Sequence, residues 1–156
     1  MNKFIKGNSL IEIVIVMAIL VVILVITVPK INDFRDNQVL KNTTAEAVNL
    51  LNEAKTNTLS SKNSTVYGVH FASDSATLFT GATYDSSAIT NKTITFDSLV
   101  TLPYSNIVLN GSGEDIIFER LTGNTNNYGT ITLQLIGDAT KQKVIAVSAL
   151  GVISLN

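Results

Sequence analysis

The sequence predicts an α+β fold in which a long N-terminal helix, half of it transmembrane, packs on a C-terminal antiparallel β-sheet domain. Three observations carry this prediction. An almost unbroken apolar run occupies residues 10–28 of the 156-residue chain, apolar residues then recur at helical spacing through residues 30–60, and short alternating segments separated by turn signals follow. A helical stretch followed by consecutive strands is typical of the α+β class.

The apolar run follows a basic leader, residues 1–7, and ends at Pro29. Residues 10–28 would span roughly 28 Å at about 1.5 Å per residue, close to the ~30 Å hydrocarbon core of a bilayer. A secretory signal peptide has a shorter apolar stretch and small residues at its cleavage site, which Thr27 and Val28 do not supply. A plain membrane anchor fits the length but gives no reason for Glu12, the single charge in the run. An ionisable residue inside such a helix normally has a function and a partner.

Residues 30–60 are predicted to continue this helix, with a bend near Pro29 because a proline removes one helical hydrogen bond. One narrow apolar face packs on the sheet, and Glu46 and Glu53 lie on the solvated side. The residues of the apolar face are Leu40, Ala47, Val48, Leu51 and Ala54.

Strands are predicted from residue 65 onward, where Val, Ile, Tyr, Phe and Thr alternate between polar turns. A turn at residues 73–75 joins the first two strands as a hairpin. The predicted strands cover residues 65–71, 76–80, 93–96, 107–109, 115–121, 130–136, 144–149 and 152–155.

The segment Lys6-Gly7-Asn8-Ser9-Leu10-Ile11-Glu12 resembles the processing motif of type IV prepilins. The resemblance implies that prepilin peptidase cuts after Gly7 and methylates the new N-terminus at Asn8. It also implies that Glu12, the fifth residue of the mature chain, pairs with the N-terminal amine of a neighbouring subunit and sets the register of assembly. Pro29 corresponds to the proline at which pilin helices commonly bend.

The C-terminal half is similar to the GspH/FimT-type pseudopilin domain, in the segment from Phe118 to Gly123 and in the strand, Gly151 and strand that close the chain. Together the two resemblances imply four parts. Residues 1–7 are a cleaved leader, residues 8–29 a transmembrane and filament-core helix, residues 30–60 its amphipathic continuation, and residues 61–156 a β-rich globular domain.

Composition argues against several classes of function. Removal of the leader would take two of the 11 basic residues, leaving nine against 12 acidic ones and a net charge of about −3, so nucleic acid is not expected as a partner. The chain has no cysteine and one histidine, His70, which leaves little for a catalytic set, and we expect no enzyme activity, cofactor or metal. Asp115 and Glu119 would share a strand face that could bind a hard cation, but a solvated face is the preferred interpretation.

The function expected from the resemblance is that of a structural subunit, a minor pseudopilin of a type II secretion pseudopilus. The alternatives are a major or minor type IV pilin for adhesion, motility or DNA uptake, and a membrane-anchored binding module that never polymerises. The implied partners are prepilin peptidase, other pilin subunits, an inner-membrane assembly platform and membrane lipid. The expected location is the inner membrane, as a single-pass protein with its C-terminal domain outside, and then a periplasmic or extracellular filament.

Overall fold

The computed structural model describes residues 9–111 and 113–156, with the side chains of residues 26–32 outside that description. It is an α+β structure that begins with one helix, α1 (Leu10–Leu59). The chain divides into two compact units, Met1–Arg35 and Asp36–Asn156, and α1 passes from the first into the second.

Nine short strands follow α1 in the part of the chain that the structure describes. Their bounds are β1 (Tyr67–Phe71), β2 (Ser75–Thr80), β3 (Lys92–Thr95), β4 (Val100–Thr101), β5 (Ile107–Leu109), β6 (Asp115–Ile117), β7 (Gly129–Leu135), β8 (Gln142–Val147) and β9 (Ile153–Leu155). All of the pairings are antiparallel. One sheet has the order β3-β2-β1-β6, and the other has the order β4-β7-β8-β9 with β5 also paired to β7.

The prediction that half of this helix is transmembrane is wrong. Within the described residues, no helix combines the length and the apolar character that crossing a bilayer requires. The same finding contradicts the predicted single-pass location in the inner membrane.

The predicted apolar face of residues 30–60 lies in the core of the second unit. Leu40, Ala47, Leu51 and Ala54 are buried there and Val48 is partly buried. The inner faces of both sheets complete this core, with fully buried side chains that include Val69, Phe71, Leu102, Ile116, Phe118, Ile131, Leu133 and Ile145.

Thr58 ties the end of α1 to the first strand. Its hydroxyl is buried, donates to the Ala54 carbonyl at 2.9 Å and accepts from the Tyr67 backbone N–H at 2.9 Å. A buried N–H left without an acceptor costs more than an ordinary hydrogen bond contributes. One hydroxyl oxygen therefore links the last turns of α1 to the start of β1.

Replacing Thr58 with valine is expected to lower the free energy of unfolding by about 1–3 kcal/mol, because the Tyr67 N–H loses its acceptor. Urea unfolding measures the change. Thr44→Val is the matched control: Thr44 is equally buried, but its hydroxyl only donates to the Leu40 carbonyl at 2.7 Å within the same helix. Equal losses for the two variants would contradict the role given to Thr58.

Candidate assembly surface

The first part of α1 exposes its apolar side chains on every side. We call residues 10–25 the N-terminal apolar surface. Exposure of its large side chains runs from 48 % at Leu20 to 80 % at Leu10. The set comprises Leu10, Ile11, Ile13, Val14, Ile15, Val16, Met17, Ile19, Leu20, Val21, Val22, Ile23, Leu24 and Val25.

This exposure distinguishes the N-terminal apolar surface from an ordinary surface helix. A helix that packs on one layer buries one stripe and turns polar residues to water, as the later part of α1 does. A helix that is apolar all round belongs inside a larger apolar assembly. Covering these side chains would contribute on the order of 10 kcal/mol or more before the entropy of association is counted.

Glu12 is the acidic residue of this surface and lies in the first turn of α1. Its backbone N–H donates to the Ser9 carbonyl at 3.0 Å, so the helix begins just before it. A carboxylate in the first turn is favoured by the positive end of the helix dipole. Its side chain borders a shallow, mainly apolar groove with Ile13, Val16 and Met17.

Glu12 forms no ion pair in the part of the chain that the structure describes. Water satisfies an exposed carboxylate, but any partner that covers the apolar side chains would also remove that water. Burial of an unpaired carboxylate costs several kcal/mol. A covering partner must therefore bring a positive group or hydrogen-bond donors to Glu12, or the carboxylate must take up a proton.

The other site residues predicted from the sequence are less fully placed. Gly7 and Asn8 lie outside the described residues. Pro29 lies within the bounds of α1. Its side chain is one of those of residues 26–32, which are outside the description, and the bend predicted there is not tested. Of the predicted site residues Gly7, Asn8, Glu12 and Pro29, only Glu12 has a described side chain.

A second polar cluster, not predicted from the sequence, forms around His70. Its Nδ1 lies 2.6 Å from Asp115 Oδ1, and its ring stacks on Tyr84 with the centroids 4.0 Å apart. Glu114 lies 3.9 Å from the other ring nitrogen. The pairing depends on β1 meeting β6 in a register that places His70 opposite Asp115, across 45 residues of sequence.

The His70 cluster has a structural explanation. The ring stack fastens the loop after β2 to the sheet, with Phe79 edge-on to Tyr84. Glu119 does not join Asp115 as the sequence suggested, because its carboxylate accepts a hydrogen bond from Asn126 at 3.0 Å. Within residues 9–111 and 113–156, no group of three or more His, Asp or Glu side chains is arranged to hold a metal ion.

Two exposed loops are ordered by aspartate side chains. The hydroxyl and backbone N–H of Ser87 both donate to Asp85, and they hold the pKa of that carboxyl below its ordinary value. Thr140 does the same for Asp138. A lowered pKa means that these contacts stabilise the fold above the ordinary carboxyl pKa and are lost as the pH falls through the lowered value. Both groups are far too acidic to titrate near neutral pH.

Comparisons with protein-family models, with curated proteins and with solved structures found no match for this chain. Its function is therefore inferred from its own residues. The N-terminal apolar surface with Glu12 is the strongest candidate site among the described residues, since packing within the single chain does not explain its exposure.

Proposed function

We propose that this chain is a structural subunit of a pilin-class filament, a minor pseudopilin of a type II secretion pseudopilus or a component of a type IV pilus. The N-terminal apolar surface, exposed on all sides and carrying Glu12, is the observation that supports the proposal. The subunit acts by assembling, not by catalysis, and needs no cofactor.

The distribution of the exposed side chains favours a bundle of several helices over a simple dimer. A single partner helix packs into the grooves of one face. The remaining faces of residues 10–25 would still meet water, with side chains that are about half exposed all the way round. Several copies arranged around one another cover every face, and repetition of that contact produces a filament.

Glu12 would then be paired by a group that only processing creates. Cleavage after Gly7 leaves an ammonium group at Asn8, four residues before Glu12 in the sequence. A neighbouring copy shifted by about one turn brings that ammonium to the carboxylate. The pair neutralises the buried charge and rejects other registers, where the carboxylate would stay unpaired.

Co-expression of the full chain with an active prepilin peptidase tests the proposal. Intact-mass measurement is expected to show loss of residues 1–7 and the gain of one methyl group at Asn8. A Gly7→Val variant should keep the leader, because the small residue before the scissile bond is gone. An uncut wild-type chain beside a peptidase that processes a known prepilin would contradict the proposed function.

A further inference from the structure

The strand β9 is an edge of its sheet, because among the described residues it pairs only with β8. Asn156, just after β9, and Val144 of β8 exchange two backbone hydrogen bonds, at 2.9 and 3.1 Å. Bonded and non-bonded positions alternate along an antiparallel pair, so Ile153 and Leu155 point their backbone N–H and C=O groups away from β8. These outward groups make no hydrogen bond with any other described residue.

The other described edge strands are protected in the ways that proteins commonly use, namely charge, shortness or an internal partner. Lys92 of β3 carries a charge and pairs with Glu53 of α1 at 2.7 Å. The strand β6 begins with the carboxylate of Asp115, and β4 has only two residues. On β5 the N–H of Ile107 already donates to the Tyr104 carbonyl of the short turn before the strand.

The β9 edge has none of these protections. Residues 150–156 include no charged residue and no proline. Leu150, Val152 and Leu155 are 68 %, 57 % and 41 % exposed, so the edge is apolar as well as open. An open, apolar and uncharged edge strand is a template for a further strand.

We propose that β9 pairs antiparallel with β9 of a second copy, with Ser154 of each copy on the two-fold axis. Ile153 of one copy then lies opposite Leu155 of the other, and their outward N–H and C=O groups bond to each other. Ile153 packs against the core, so the apolar pair continues the core across the junction, and no like charges meet there. A two-fold contact closes at two copies, which makes it separate from the helix contact proposed above. The inference does not depend on filament assembly.

Disulfide trapping in the full chain tests the pairing, since the chain has no cysteine. Ser154→Cys places two thiols across a non-hydrogen-bonded pair, where the Cα atoms lie about 4.5 Å apart, within the span of a disulfide. The protein is held, without prepilin peptidase, in a mild detergent that covers the N-terminal apolar surface. Ser98→Cys, exposed between β3 and β4, is the control for chance collisions. We expect about tenfold more disulfide-linked dimer from Ser154→Cys than from the control, and equal amounts would overturn the proposal.

Val152→Cys and Asn156→Cys test the register of the pairing. In the proposed register, residue 152 of one copy lies opposite residue 156 of the other, and neither lies opposite itself. A mixture of the two variants should therefore give mainly the mixed dimer, while each variant alone should give no more dimer than Ser98→Cys. No excess of the mixed dimer would overturn the proposal.

Leu155→Lys, combined with Ser154→Cys, gives β9 the charge that protected edges carry. The ammonium would lie opposite Ile153 of the second copy, so the cross-link should fall to the level of Ser98→Cys. Because Leu155 is exposed, the variant should keep the wild-type urea midpoint. Unchanged cross-linking in this variant would overturn the proposal. The register test introduces no charge and decides between the outcomes if the lysine variant fails to fold.

Discussion

Replacing Gly151 with alanine is expected to lower the free energy of unfolding by about 3 kcal/mol or more. Gly151 has a φ of +68°, and a Cβ there would lie 2.0 Å from the Gly123 carbonyl oxygen. That neighbour is backbone, so no side-chain rotation relieves the contact. The Lys55 ammonium also donates to the Gly151 carbonyl at 2.8 Å, which fixes this turn on α1. The substitution therefore disturbs both the turn between β8 and β9 and its attachment to the helix.

Urea unfolding followed by circular dichroism measures the effect. Gly137→Ala is the matched control, because a Cβ at that exposed turn meets no atom within 4 Å. We expect the control to change stability by less than about 0.5 kcal/mol. A similar change for both variants would show that the approach of the two backbone segments, Gly123 and Gly151, does not constrain the fold.

The secondary structure follows largely from local pattern. The buried face of α1 from Leu40 to Ala54 could be predicted because apolar residues return every three or four positions on one side of a helix. The strand at Ile107–Leu109 has the predicted bounds, and the hairpin of β1 and β2 forms around the predicted turn. In each case the signal lies within a few residues of the feature.

Features that depend on distant partners could not be predicted. The two residues of β4 are a strand only because they pair with Leu135 and Gln134 of β7. The strand predicted to reach residue 121 ends at Ile117, since the Glu119 backbone N–H bonds to the Asn124 carbonyl and the chain turns. The pairing of the strands into two sheets also depends on contacts between distant segments.

The candidate sites show the same limit. Glu12 stood out in the sequence because charge is rare in an apolar run, but the exposure around it is a property of the folded chain. The His70–Asp115 pair needed the register of β1 against β6.

Glu12→Ala is expected to reduce the amount of polymer at least tenfold while leaving the folded domain intact. The apolar surface remains, but the register-setting pair with the neighbour's N-terminal ammonium is lost. Pelleting of the processed chain by ultracentrifugation measures the polymer. Glu114→Gln is the control: it changes a carboxylate of the second unit and should pellet like the wild type. Unchanged polymer in Glu12→Ala would contradict the pairing.

Disulfide cross-linking between neighbouring copies tests the central claim most directly, because the chain has no cysteine of its own. A shift of about one turn places residue 9 of one copy level with residue 13 of the next. Mixed Ser9→Cys and Ile13→Cys chains, co-expressed with prepilin peptidase and oxidised after assembly, should form a disulfide-linked dimer between the two variants. The same pair carrying Glu12→Ala should not. Two results would contradict assembly through this helix in this register. One is absence of the cross-link in chains that keep Glu12, and the other is equal cross-linking in chains with Glu12 and with Glu12→Ala.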